Sequence, residues 1–215
     1  VFPFLYIKQA HIPEKSKGLF SRVREYNWPV ITRLMIPKML VGLGAGLVIP
    51  FMNLYFRNEY NLGTERIGFF FSIMQVFLFA GMMLAPYLTK KFGMIQSIVL
   101  TELLSIPFMF ILAISRFLPL AVIAFIMRGT LMNMNLPISA NFEMELVRPQ
   151  EQPFTNAIST LGWQGAWTVS AWVGGIIIEK YSFAFSFYIT IIAYLLSALT
   201  YYIFFSKYRS SIKTG

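Results

Sequence analysis

Six long apolar stretches dominate this chain, and most of its Lys and Arg fall on alternate connections between them. A helix needs about 20 mostly apolar residues to cross a bilayer core. The stretches run over about 34–57, 66–88, 94–115, 117–144, 153–178 and 183–206. Hydrocarbon offers no water to a bare N–H or C=O, so each crossing should be helical. A tilted barrel strand would need only about 10 residues, roughly half of each run. The expected fold class is therefore all-α, a polytopic membrane protein with six transmembrane helices.

The charges set an expected orientation. Thirteen basic residues fall on one side: seven from Lys8 to Lys38, then Lys90, Lys91, Arg148, Lys207, Arg209 and Lys213. Arg57, Arg66, Arg116 and Lys180 make four on the other, and Arg128 lies inside a crossing. The positive-inside rule puts the richer side in the cytoplasm. Localisation in the cell membrane follows as an expectation, with both termini of this segment cytoplasmic.

Residues 8–33 read as a cytoplasmic linker with a short amphipathic helix over 17–26, and 207–215 as a cytoplasmic tail. Val1 to Ile7 is apolar and reads as the last turns of an earlier membrane helix, which would make the chain the second part of a longer protein. No secretory signal pattern is present at the start.

Residue usage narrows the chemistry. There is no Cys and no Asp, and the one histidine is His11 in the lead-in. Thiolate metal sites, disulfides and a Ser–His pair inside the membrane are excluded. We expect no enzyme, no cofactor and no metal. The net charge of +9 sits mainly in the flanks, where anionic lipid accounts for it. We expect a lipid bilayer as partner and no nucleic acid.

The polar residues are unevenly shared. The first crossing carries Gly42, Gly44 and Gly46, then Pro50 and Asn53. Gly42 and Gly46 have the spacing of a close helix contact, and Pro50 should kink its helix. The second crossing carries Gln75 and ends in Pro86–Gly93, read as a cytoplasmic turn. Arg128, Met132, Asn135 and Ser139 share one face of the fourth crossing, and Asn156, Thr160, Trp163 and Trp167 one face of the fifth, which also holds Gln164. The sixth is almost purely apolar and aromatic, as suits a lipid-facing scaffold. Four helices around a wet path, with the third and sixth outside, fit this distribution.

Arg128 lies near the bilayer midplane, where a cation normally faces a cavity or a partner. Two readings stand. It belongs to a buried pair, with Glu102 one conceivable partner, or to a substrate, anion or proton-linked site. Glu102, about two turns from the cytoplasm, is expected to be wet; the alternative is a proton-linked carboxyl. Glu143 and Glu145 are expected to pair with Lys90, Lys91 or Arg148 as a cytoplasmic gate. Trp163 and Trp167 either pack or stack on a flat or cationic substrate.

Taken together, this pattern resembles the C-terminal half of a major facilitator superfamily transporter, helices seven to twelve, over about residues 34–206. The helix count and the basic lead-in carry part of the likeness. Pro86-Tyr-Leu-Thr-Lys90-Lys91-Phe-Gly93 is similar to a degenerate copy of the family's loop motif, although Lys90 stands where Asp is usual and Pro86 where Gly is. Arg128-Gly129 falls where the family's intramembrane arginine recurs, and the acidic stretch 143–151 precedes the next helix. The resemblance implies a half bundle of two inverted three-helix repeats. It also implies an N-terminal six-helix half as partner and a small-molecule substrate between the halves, moved by alternating access.

Within that class, proton-coupled efflux of a drug or metabolite is the first expectation. Rivals are an uncoupled facilitator, a sugar-type symporter, an ATP-driven permease subunit and a non-transporting membrane interaction protein.

Overall fold

The computed structural model describes residues 26–206. The apolar start at 1–7, nearly all of the linker helix expected at 17–26, and the tail at 207–215 lie outside the described residues. Seven α-helices form six crossings: α1 (Trp28–Val48), α2 (Met52–Tyr60), α3 (Thr64–Phe92), α4 (Met94–Ile114), α5 (Leu118–Leu146), α6 (Gln152–Lys180) and α7 (Phe183–Phe205). A 3-10 turn at Ile49–Phe51 joins α1 to α2, so these two make one crossing, broken at Pro50 as its missing N–H requires.

Four of the six crossings begin earlier or run on longer than the apolar stretches alone suggest, while α4 and α7 match theirs to within a residue. The first starts at Trp28, not 34, because Pro29 opens it where a missing N–H costs nothing. This takes residues 28–33 out of the expected linker. Pro86–Phe92 is the last two turns of α3 and not a turn. Thr89 Oγ1 donates to the Ala85 carbonyl at 3.0 Å, beside the proline. Only Gly93, with φ of 85°, leaves helical geometry, and a side chain there would be strained.

Five of the six crossings are apolar enough to be membrane spans by length and composition; α6 is not. Its Asn156, Thr160, Gln164, Thr168 and Ser170 dilute an otherwise apolar run.

The packing has an internal symmetry. α1 lies against α6 and α7; α5 lies against α3 and α4; α4 lies against α7. Exchanging the first three crossings for the last three, in order, maps this set of contacts onto itself. Three crossings are an odd number, so the two units are inverted with respect to each other.

Two apolar clusters stand at opposite ends. One gathers Phe56, Phe125, Phe183 and Phe187 near the Tyr60 end. The other gathers Leu34, Ile98, Phe142 and Phe205 near the Trp28 end. Between them lies a belt of buried polar side chains that includes Thr101, Glu102, Arg128, Asn135 and Ser197. Outward faces of α3, α4 and α7 are apolar: Phe79, Met83, Leu104, Ile192 and Leu199 are exposed.

Glycines and hydroxyls seat α1 closely on its neighbours. A Cβ on Gly42 would lie 2.6 Å from the backbone oxygen of Trp163 in α6. Thr190 Oγ1 of α7 donates to the Gly44 carbonyl at 2.9 Å, and Ser197 Oγ to the Pro37 carbonyl at 3.1 Å. The small pair in the first crossing is thus a packing device.

We expect Gly42→Ala to lower the melting temperature of the detergent-solubilised protein, at an overpacking cost of about 1–3 kcal/mol. Gly68→Ala, where nothing stands within 4 Å of the new Cβ, should leave it unchanged or higher.

Candidate functional site

A cavity of about 300 Å³ opens between α1, α5 and α6, with α4 and α7 behind it. α1 and α5 do not pack extensively on each other, and the space they leave is the cavity. Lys38 and Val41 line it from α1, and Met132, Asn135, Leu136 and Ser139 from α5. Ser159, Thr160, Trp163 and Gln164 line it from α6, Ile98 and Glu102 from α4, and Tyr201 from α7.

Six of the residues singled out from sequence therefore meet here: Glu102, Asn135, Ser139, Thr160, Trp163 and Gln164. The others lie elsewhere. Asn53, Gln75 and Asn156 are exposed on α2, α3 and α6 and do not line the cavity. Trp167 stacks on Trp163, with ring centroids 6.4 Å apart, and supports it from behind.

Arg128 is also outside the lining. It is 5% exposed, and its guanidinium donates to the hydroxyl of Tyr194 on α7. The Tyr194 ring centroid is 5.6 Å from Cζ, close enough for a cation–π contact. The partner is therefore Tyr194 and not Glu102. An aromatic ring disperses the charge without bringing a second ion into the core, a step that costs desolvation energy. Gly129, next in sequence, leaves room for Met74 of α3: a Cβ there would meet its Sδ at 2.8 Å.

Asn135 is tied down from α4. Thr101 Oγ1 donates to its Oδ1 at 2.9 Å, and its Nδ2 donates to the Ile98 carbonyl at 3.4 Å. Glu102 is not wet, as its distance from the helix end suggests, but 2% exposed. α5 and α7 both pack on α4 and cover most of the carboxyl, which meets only the back of the cavity. Glu102 Oε2 has no hydrogen-bond partner among the described residues. The Ser197 hydroxyl is shared between this carboxyl and the Pro37 carbonyl.

The acidic helix end pairs differently from the sequence expectation. Glu143, buried on α5, pairs with Lys38 of α1, one turn beyond Ser139 toward the Trp28 end. Lys38 reaches it because α1 begins at Trp28, which carries this residue well inside the bundle. Arg148 pairs with Glu151 at 3.2 Å. Lys90, Lys91 and Glu145 are exposed and form no ion pair among the described residues. Pro86 and Glu145 flank a separate space between α3 and α5.

Sequence reading overlooked the buried face of α7. Ser186, Thr190, Tyr194, Ser197 and Tyr201 are all buried, and their spacing of three and four places them on one helical face. This is the side that packs on α1 and α4. The lipid-facing description holds only for the opposite side. The signal was present as hydroxyls at helical spacing inside an aromatic run. Lys38 was likewise grouped with the flanking charges although it lies within a crossing.

Among the described residues no group of three or more His, Cys, Asp and Glu could hold a metal ion. The sequence model described as Major Facilitator Superfamily matches residues 19–214. No curated protein sequence matches the chain.

The Lys38–Glu143 pair gives a stability prediction. Lys38→Met leaves Glu143 buried beside an apolar group and should cost about 3–5 kcal/mol. Adding Glu143→Gln should recover most of that loss in denaturation of the purified protein. If the double variant is no more stable than the single one, the pair is not what Lys38 contributes.

Proposed function

The chain belongs to the major facilitator superfamily, and from that premise we propose that it is one half of a secondary transporter for a small organic solute. The observation that carries this reading is the cavity between α1, α5 and α6, enclosed by two inverted three-helix units. Space of this kind at a repeat interface is where alternating-access carriers hold their cargo.

In this reading a second six-helix half faces the open side of the cavity and completes the path. The Trp28 end is cytoplasmic, in keeping with the positive-inside bias of the whole chain. Lys38–Glu143 spans the gap between α1 and α5 at that end and acts as a latch, since opening the path there requires the two helices to part. Rim contacts at Pro86, Lys90, Lys91, Gly93, Glu145 and Arg148 adjust the same end.

Proton coupling and outward transport are the finer parts of the proposal. Glu102 is the carboxyl available to take up a proton within this half. Arg128 holds α5 to α7 within the second three-helix unit through Tyr194. Asn53, Gln75, Asn156 and Trp167 sit around the path and not in its wall.

Flux in vesicles carrying the intact protein tests this. Solute movement should follow an imposed proton gradient and stop when the gradient is collapsed. Thr160→Trp, which fills the cavity from an exposed wall position, should cut flux at least tenfold at unchanged expression. Gradient-independent flux would replace coupling with facilitated diffusion, and full flux in the filled variant would remove the cavity from the path.

A further inference from the structure

We propose that the cavity selects organic monocations with an apolar, aromatic body, and that Glu102 is the residue that recognises their positive charge. This deepens the transport reading and rests on it, but it concerns binding and holds whether or not a proton gradient drives flux.

The argument begins with which charges are free. Lys38 is committed to Glu143, and Arg128 is committed to Tyr194 and stands outside the lining. No uncommitted cation faces the cavity among the described residues, so an anionic solute would find nothing to neutralise it. Glu102 is in the opposite position. It lines the cavity, it is 2% exposed, and its Oε2 is unpartnered. The ion pairs among the described residues are Lys38–Glu143 and Arg148–Glu151, so no protein cation stands beside it. Its neighbouring hydroxyl, Ser197, is a single donor shared with the Pro37 carbonyl. A buried carboxylate with no cation and only a shared hydroxyl beside it is costly to maintain, and a ligand ammonium supplies the charge and a donor for the unpartnered Oε2.

The remaining walls describe the rest of the ligand. Val41, Ile98, Met132 and Leu136 are apolar, and Trp163 presents a large ring. Trp163 is held by its stack on Trp167, so a flat cation meets a pre-placed surface. Asn135 has both ends of its amide engaged, and Ser139 Oγ donates to the Leu136 carbonyl at 3.2 Å. Ser159, Thr160 and Gln164 keep polar groups on the α6 wall, and Glu102 is the one acidic group in the lining.

The test is equilibrium binding to the intact protein in lipid nanodiscs, read by fluorescence anisotropy. The probes are a permanently charged dimethylaminostyryl-N-methylpyridinium and its uncharged dimethylaminostilbene analogue. Wild-type protein should bind the cation at least tenfold more tightly than the neutral analogue. Glu102→Gln should erase that preference by weakening the cation at least tenfold, while the neutral probe changes less than twofold. Trp163→Leu should weaken both probes and leave the preference in place, which covers the case in which the Glu102 variant does not fold.

Equal affinity of the wild type for the two probes would overturn the proposal, as would a Glu102→Gln protein that keeps its preference for the cation. Cation binding that depends on Glu102 without any flux in vesicles would instead sink the transport reading and leave the cation site standing.

Discussion

Every polar group inside this bundle must be answered by protein or face a cavity, because the surrounding hydrocarbon supplies no water. The described core can be read as a set of answers to that demand. Hydroxyls on α7 donate to carbonyls of α1. Thr101 and the Ile98 carbonyl engage the Asn135 amide. Tyr194 takes the charge of Arg128 on its hydroxyl and its ring. Each answer crosses from one helix to another, so the demand for partners also holds the crossings in register. Among the described residues, Glu102 Oε2 is buried with neither a hydrogen bond nor an ion pair, and Glu102 lines the space where a solute would sit.

The same demand explains why α7 sits at the centre of the assembly. It touches α1 in one repeat-like pairing and α4 in the other, and α4–α7 is the contact that maps onto itself when the two units are exchanged. A helix with lipid on one side and two helices on the other needs two faces of different character. α7 has both, with Ile192, Leu199 and Ile203 turned outward and the hydroxyl stripe turned in.

Much of this was legible from the residues alone. Apolar length revealed six crossings, and Pro50 marked the break in the first. The shared face of Asn135 and Ser139, and that of Thr160 and Trp163, follows from helical spacing and does meet at the cavity. Partners were not legible. Arg128 suggests an acid because charge pairing is the simplest rule, yet a tyrosine on a distant helix answers it at lower desolvation cost. Lys38 reads as a flanking charge because hydropathy fixes a helix start only loosely; with Pro29 in the first turn the helix starts at Trp28. Glu102 reads as wet because depth along a helix says nothing about what its neighbours cover. These are questions of which helix lies beside which, and single-chain periodicity does not carry that information.

The break at Ile49–Phe51 gives the first crossing two separate moorings. Below it, α1 is bound to α6 and α7 through its glycines and carbonyls. Above it, α2 is bound to α4, where Tyr55 and Tyr60 donate to the carbonyls of Leu112 and Ser115 at 2.7 and 2.8 Å. Pro50 has no N–H, so the ladder of hydrogen bonds that stiffens a continuous rod is interrupted between the two moorings. Mechanically, the crossing is a jointed lever rather than a single beam. A tilt imposed on one arm is absorbed at the joint before it reaches the other, and the two rims of the cavity are thereby uncoupled along this helix.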